Sequence, residues 1–140
     1  MTDKPDKWVE AVTNLIKLTQ AGKLKWSAGR ADKNIGREDL RIETVFLAEY
    51  KNRNLRLFKY SYMVEEPGAL ERLISSDSSL YLGTKRKYPY WSSSITLEFI
   101  DEAARTLWTF PHTNALNDLF EAVQYQVAGV DEFLKEILED

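Results

Sequence analysis

The chain has 140 residues, 44% of them hydrophobic, and its four Trp, seven Tyr and six Phe supply one aromatic core at single-domain length. With no Cys and one His, it excludes disulfides and thiol nucleophiles and leaves zinc, copper and haem without a ligand set. The net charge of −3 is unevenly spread: residues 98–140 hold ten acids and two bases, net −8, and residues 1–97 hold 17 bases and 12 acids, net +5.

That asymmetry marks a partner surface or, more plainly, two halves that attract each other within the fold. No apolar run approaches the roughly 18 residues that span a bilayer. The segment Met1 to Asp6 is polar and lacks the apolar stretch of a signal peptide. No membrane partner and a cytoplasmic location are therefore expected.

Trp8, Val9, Val12, Leu15, Ile16 and Thr19 recur at helical spacing and predict an amphipathic helix over about residues 5–21. Pro5 suits its first turn and Gly22 its stop. Leu24, Trp26 and Ala28 alternate with polar residues and predict a strand, followed by a polar loop from Gly29 to Asp39. Leu40 to Tyr50 is β-branched and aromatic enough for a long strand. Lys51 to Asn54 turns the chain, and a second long strand returns from Leu55 to about Val64.

In that second strand Leu55 and Leu57 point one way, while Phe58, Tyr60, Tyr62 and Val64 point the other. Either both faces are partly covered or a bulge switches the face near Leu57–Phe58; the bulge is the favoured reading. Residues 65–93 are the least regular, with a short helical turn expected over 69–74 and a short strand over 80–83. A strand over Ser94–Ile100, a turn at Asp101–Ala104 and a strand over Arg105–Phe110 form a hairpin. Thr113 or Asn114 then caps a helix whose stripe runs through Leu116, Leu119, Phe120, Val123, Val127 and Val130 and continues in Phe133, Leu134, Ile137 and Leu138. Gly129 interrupts it, giving one kinked helix or two in series.

This order predicts a single α+β domain over residues 1–140: an N-terminal helix, an antiparallel sheet of about five strands, and a C-terminal helix kinked near Gly129.

Leu18-Thr19-Gln20-Ala21-Gly22-Lys23-Leu24-Lys25-Trp26, Trp108-Thr109-Phe110-Pro111 and the stretch Val123 to Leu134 together resemble a family of small uncharacterised prokaryotic proteins. In that family an LTxxGxLxW start is followed by a sheet, and a C-terminal helix opens after WxFP. The resemblance covers most of the chain outside residues 29–39 and 66–92. It implies a shared fold and no particular activity.

The sequence assembles no chemistry. The acidic pairs Glu65–Glu66, Asp101–Glu102 and Asp131–Glu132 sit at turns or helix starts, where solvation and the helix dipole explain them. His112 lies beside Pro111 at a strand–helix junction, and no G-x-S-x-G elbow accompanies it. Neither a P-loop nor a G-x-G-x-x-G fingerprint is present. No catalytic residue, metal ligand or cofactor is expected. The most suggestive segment is Lys85, Arg86, Lys87, Tyr88, Pro89, Tyr90 and Trp91, in which bases could meet phosphates and aromatics could stack on unpaired bases. Its plainer reading is a solvated basic loop anchored by its aromatics, and a pI near 5.3 argues against nucleic acid.

The functional expectation is a non-enzymatic, self-associating interaction domain that uses an exposed sheet face or an aromatic loop, its partner being protein, a second copy or another chain. The alternatives are a nucleic-acid accessory protein acting through residues 85–91, or a ligand binder or enzyme with a pocket lined by Trp26, Tyr60 and Trp108.

Overall fold

A computed structural model of the chain describes residues 6–30, 40–65 and 88–139. In chain order the elements are α1 (Lys7–Gln20), β1 (Trp26–Ala28), β2 (Leu40–Tyr50), β3 (Arg53–Val64), β4 (Tyr90–Ile100), β5 (Thr106–Thr109), α2 (Ala115–Val127) and α3 (Val130–Leu138). The strands form one antiparallel meander in the order β1-β2-β3-β4-β5, and the fold is α+β. The helical turn and short strand expected within 69–83 lie outside the described residues, as do loop residues 31–39.

Asp6 caps α1, its carboxylate accepting from the Trp8 N–H at 2.9 Å, and Pro5 lies outside the described residues. At the other end Gly22 adopts φ +74, and the Gly22 and Lys23 N–H groups donate to Thr19 O and Leu18 O at 3.1 and 2.9 Å. These paired bonds close a helix on a left-handed residue, the conformation glycine adopts at least cost. The turn delivers Leu24 and Trp26 into the core.

One amide fastens this turn to the C-terminal helix. Gln126 on α2 accepts from Trp26 N–H at 2.7 Å and donates to Thr19 O at 3.0 Å and Leu24 O at 2.8 Å. The Trp26 indole N–H donates to the Thr19 hydroxyl at 3.0 Å, and that hydroxyl donates to Leu15 O. Backbone groups left open by the helix end are thereby satisfied inside the protein.

Lys51 and Asn52 form the β2–β3 turn, both with positive φ, which matches the right-handed twist of the hairpin. The core lies between one face of the sheet and the two long helices. Trp26, Phe46, Leu55, Leu57, Ile95 and Leu97 meet Val12 of α1 and Leu116, Leu119, Phe120 and Val123 of α2. Phe110 closes the end of this layer against Trp8 and Phe99.

The bulge expected near Leu57–Phe58 is absent. β3 stays in continuous register with β4 from Asn54–Ile100 to Val64–Tyr90, and the irregularity falls in β2 between Ile42 and Thr44. Leu55 and Leu57 face the helices, while Arg56 and Phe58 are buried on the opposite face. Val45 and Phe58 form a second small cluster there with Ile42, Leu47 and Tyr60. Both faces of the central strand are covered, so its apolar pattern does not alternate cleanly.

That second face also holds a buried ion pair. Arg56 Nε donates to Glu98 Oε1 at 2.5 Å, and its other nitrogens reach Ala104 O at 2.9 Å and Thr106 Oγ1 at 3.2 Å. Thr106 in turn donates to Glu98 Oε2 at 3.0 Å. The pair fixes the β4–β5 hairpin, whose turn is built on Asp101. The Asp101 carboxylate accepts from the N–H groups of Ala103 and Arg105, and the Arg105 amide leads the interactions that hold its pKa below the ordinary value.

Two stability predictions follow from these buried polar groups. Removing one partner of the ion pair leaves an unpaired buried charge, so Arg56→Ala or Glu98→Ala is expected to cost about 3–5 kcal/mol in urea unfolding, and Arg56→Met/Glu98→Leu considerably less. Gln126→Ala takes one partner from each of three backbone groups, of which Thr19 O keeps the Gly22 N–H, and is expected to cost about 1–3 kcal/mol in the same measurement.

Candidate interaction surface

The basic–aromatic segment is only partly a loop. Lys85, Arg86 and Lys87 lie outside the described residues, whereas Tyr90 and Trp91 are the first two residues of β4, which begins four residues before the expected start at Ser94. The strand starts early because the backbone of Tyr90 to Ser94 pairs with Val64 to Tyr60 of β3, although Ser92, Ser93 and Ser94 offer little apolar pattern.

Adjacent strand residues point to opposite faces, so Tyr90 and Trp91 are parted by the sheet. Trp91 shares the helix-bearing face with Ile95 and Leu97, opposite Met63 and beyond the cover of the helices, and is 47% exposed. The Arg41 guanidinium lies 4.4 Å from its ring centroid and occupies one π face. Tyr90 shares the other face with Tyr62 and packs against exposed Tyr88, with ring centroids 5.4 Å apart. Beside Trp91 the Ser61 hydroxyl donates to the Glu43 carboxylate, which places an acid next to the base at Arg41.

Trp26, Tyr60 and Trp108 do not line one pocket. Trp26 is core, Tyr60 lies on the opposite face of the sheet, and Trp108 stacks on Trp8 at the β5 edge, about half exposed. Among the described residues, no group of three or more His, Asp or Glu is placed to hold a metal ion, and no helix is long and apolar enough to cross a membrane.

The feature that the sequence pattern misassigned is α3. Its stripe reads as a continuation of the α2 core stripe, yet Phe133, Leu134, Ile137 and Leu138 are 57%, 40%, 52% and 78% exposed, and α3 buries no residue. The cause is Gly129, whose φ of +71 ends α2 and redirects the chain, so the second stripe leaves the sheet that the first one covers. The signal was present in the sequence as a glycine inside a helical pattern, with Asp131 and Glu132 suited to a new first turn.

At the junction α1, α2 and the start of α3 enclose an open cleft of about 540 Å³. Asp118, Glu121 and Asp131 line it together with Tyr125 and Ile16, and no base is among its lining residues. The Tyr125 hydroxyl donates to Asp131 Oδ1 at 2.6 Å, and this bond leads the influences that raise the Tyr125 pKa above its ordinary 10.0.

No family model, no curated protein and no solved structure matches the chain. What the surface can do therefore rests on its own residues.

Because the bond to Asp131 favours the neutral phenol, Tyr125 is expected to ionise at higher pH than an unperturbed tyrosine. Asp131→Asn is expected to bring its midpoint back toward 10.0, read from the ring carbon shifts of labelled tyrosine across an alkaline titration.

Proposed function

We propose that the chain is a non-enzymatic protein-interaction domain and that α3 is its docking element. One observation carries this reading: a helix with apolar residues at the i, i+3, i+4, i+7 and i+8 spacing of Val130, Phe133, Leu134, Ile137 and Leu138 buries none of them. Each such side chain gains about 1.5–3 kcal/mol when taken fully out of water, so an amphipathic helix presented in this way suits a groove or a second helix on a partner. Self-association is one form of this reading, with two copies covering each other's stripe.

The nucleic-acid reading has less support. Its bases would have to act with Tyr88 and Trp91, while the sheet separates Tyr90 from Trp91 and Arg41 already occupies one face of the indole. The ligand-pocket reading loses its lining, since Trp26, Tyr60 and Trp108 lie apart.

The test is Phe133→Ser/Ile137→Ser. Both side chains are more than half exposed, so thermal unfolding is expected to stay close to wild type, whereas association with a second copy or with an amphipathic helical peptide is lost. A double variant that unfolds would place the stripe in the fold and sink the proposal. A variant that associates as well as wild type would do the same.

A further inference from the structure

The partner's chemistry can be read from the charges around the stripe. Viewed down α3, the apolar arc runs from Phe133 through Ile137, Val130 and Leu134 to Leu138. Helical spacing puts Glu136 against its Phe133 edge and Asp131 against its Leu138 edge. Lys135, the only base in the helix, lies just outside Asp131, as far from Leu138 as Glu136 is from Phe133, and Glu132 and Glu139 occupy the far side. Asp131 also lines the cleft that holds Asp118 and Glu121, so the acidic field continues from the edge of the helix into the groove between α1 and α2.

Two copies paired stripe to stripe would each bring one base, Lys135, against Glu136, Asp131 and the cleft acids Asp118 and Glu121, so an excess of like charge remains and penalises the pairing. An anionic membrane surface meets the same objection, because interfacial helices carry bases, not acids, beside their apolar face. We infer that α3 and the adjoining acidic cleft together dock a basic amphipathic helix from another protein. Its apolar residues would cover Phe133, Leu134, Ile137 and Leu138, and its Lys or Arg side chains would reach Glu136 on one edge and the cleft carboxylates on the other. The apolar contact supplies affinity. The charges select the partner and make its binding sensitive to salt. This inference rests on α3 being a docking element and adds the identity class of what docks.

The experiment uses the full chain and three labelled helical peptides of equal length, followed by fluorescence anisotropy. One peptide is Leu/Lys with an apolar face, one is Leu/Glu with the same face, and one is Ser/Lys with the charge alone. The Leu/Lys peptide is expected to bind, to weaken as salt rises, and to lose about tenfold or more in affinity with Phe133→Ser/Ile137→Ser. It should weaken comparably with Glu121→Lys/Glu136→Lys, two exposed positions at which circular dichroism and thermal unfolding verify an intact fold. The Leu/Glu and Ser/Lys peptides should not bind.

Equal binding of the Leu/Lys and Leu/Glu peptides, or no effect of the charge reversals, would overturn the basic-partner inference while leaving the docking role of α3 standing. So would a wild-type dimer that excludes the peptide and is dissolved by Phe133→Ser/Ile137→Ser. Equal binding of the Ser/Lys peptide, or capture by phosphatidylglycerol vesicles without peptide binding, also overturns it. A monomer that binds none of the peptides removes both the inference and the docking role.

Discussion

The side-chain amide of Gln126 ties α2 to the end of α1 and the start of β1, a stretch about a hundred residues earlier in the chain. Its oxygen takes the first N–H of β1, and its nitrogen spans two carbonyls of the turn that ends α1. A helix end leaves carbonyls open, and in a buried position they must find donors or destabilise the fold. Here the Gly22 and Lys23 N–H groups supply donors from within the turn, and the Gln126 amide of α2 supplies two more. Trp26, pinned by its own N–H to Thr19, packs under the same turn. The path of α2 over the sheet, and the point at which it stops, are therefore tied to α1. Everything that happens at Gly129 happens three residues beyond this clamp, where the chain is released from the core.

The sheet those helices cover is occupied on both sides. Leu55 and Leu57 serve the main core, and Arg56 and Phe58 are buried behind them. The buried Arg56–Glu98 pair is further hydrogen-bonded through Ala104 and Thr106, the kind of support that lets such a pair be tolerated away from water. Its structural role is specific. It ties the central strand to the hairpin that carries Phe110, and Phe110 closes the end of the core against Trp8 and Phe99.

With the layers fixed, α3 is an amphipathic helix without a sheet. Its contacts with the other described elements run chiefly to α2, and its exposed stripe is bordered by Glu136 on one edge and by Asp131 and Lys135 on the other, with Asp131 continuing into the acidic cleft. The charge imbalance between the two parts of the sequence takes on a location in this way. A share of the acid excess is gathered where an apolar surface is also presented, and that combination is chemically selective in a manner that neither part is alone.

Sequence reasoning reached the helix–sheet–helix order, the strand pairs, the Gly22 stop, the burial of Trp26 and the interruption at Gly129, because each is written in local periodicity or in a residue with one favoured backbone state. It could not decide which surface an apolar stripe meets. The α2 and α3 stripes look alike in sequence, and only the left-handed turn at Gly129, acting beyond the Gln126 clamp, sends one to the core and the other to solvent. The face change expected in β3 was settled by pairing partners far away in the chain, as was the assignment of Tyr90 and Trp91 to a strand rather than a loop. Local propensity fixes which elements form. Which of their faces are covered depends on long-range contacts that no window of sequence contains.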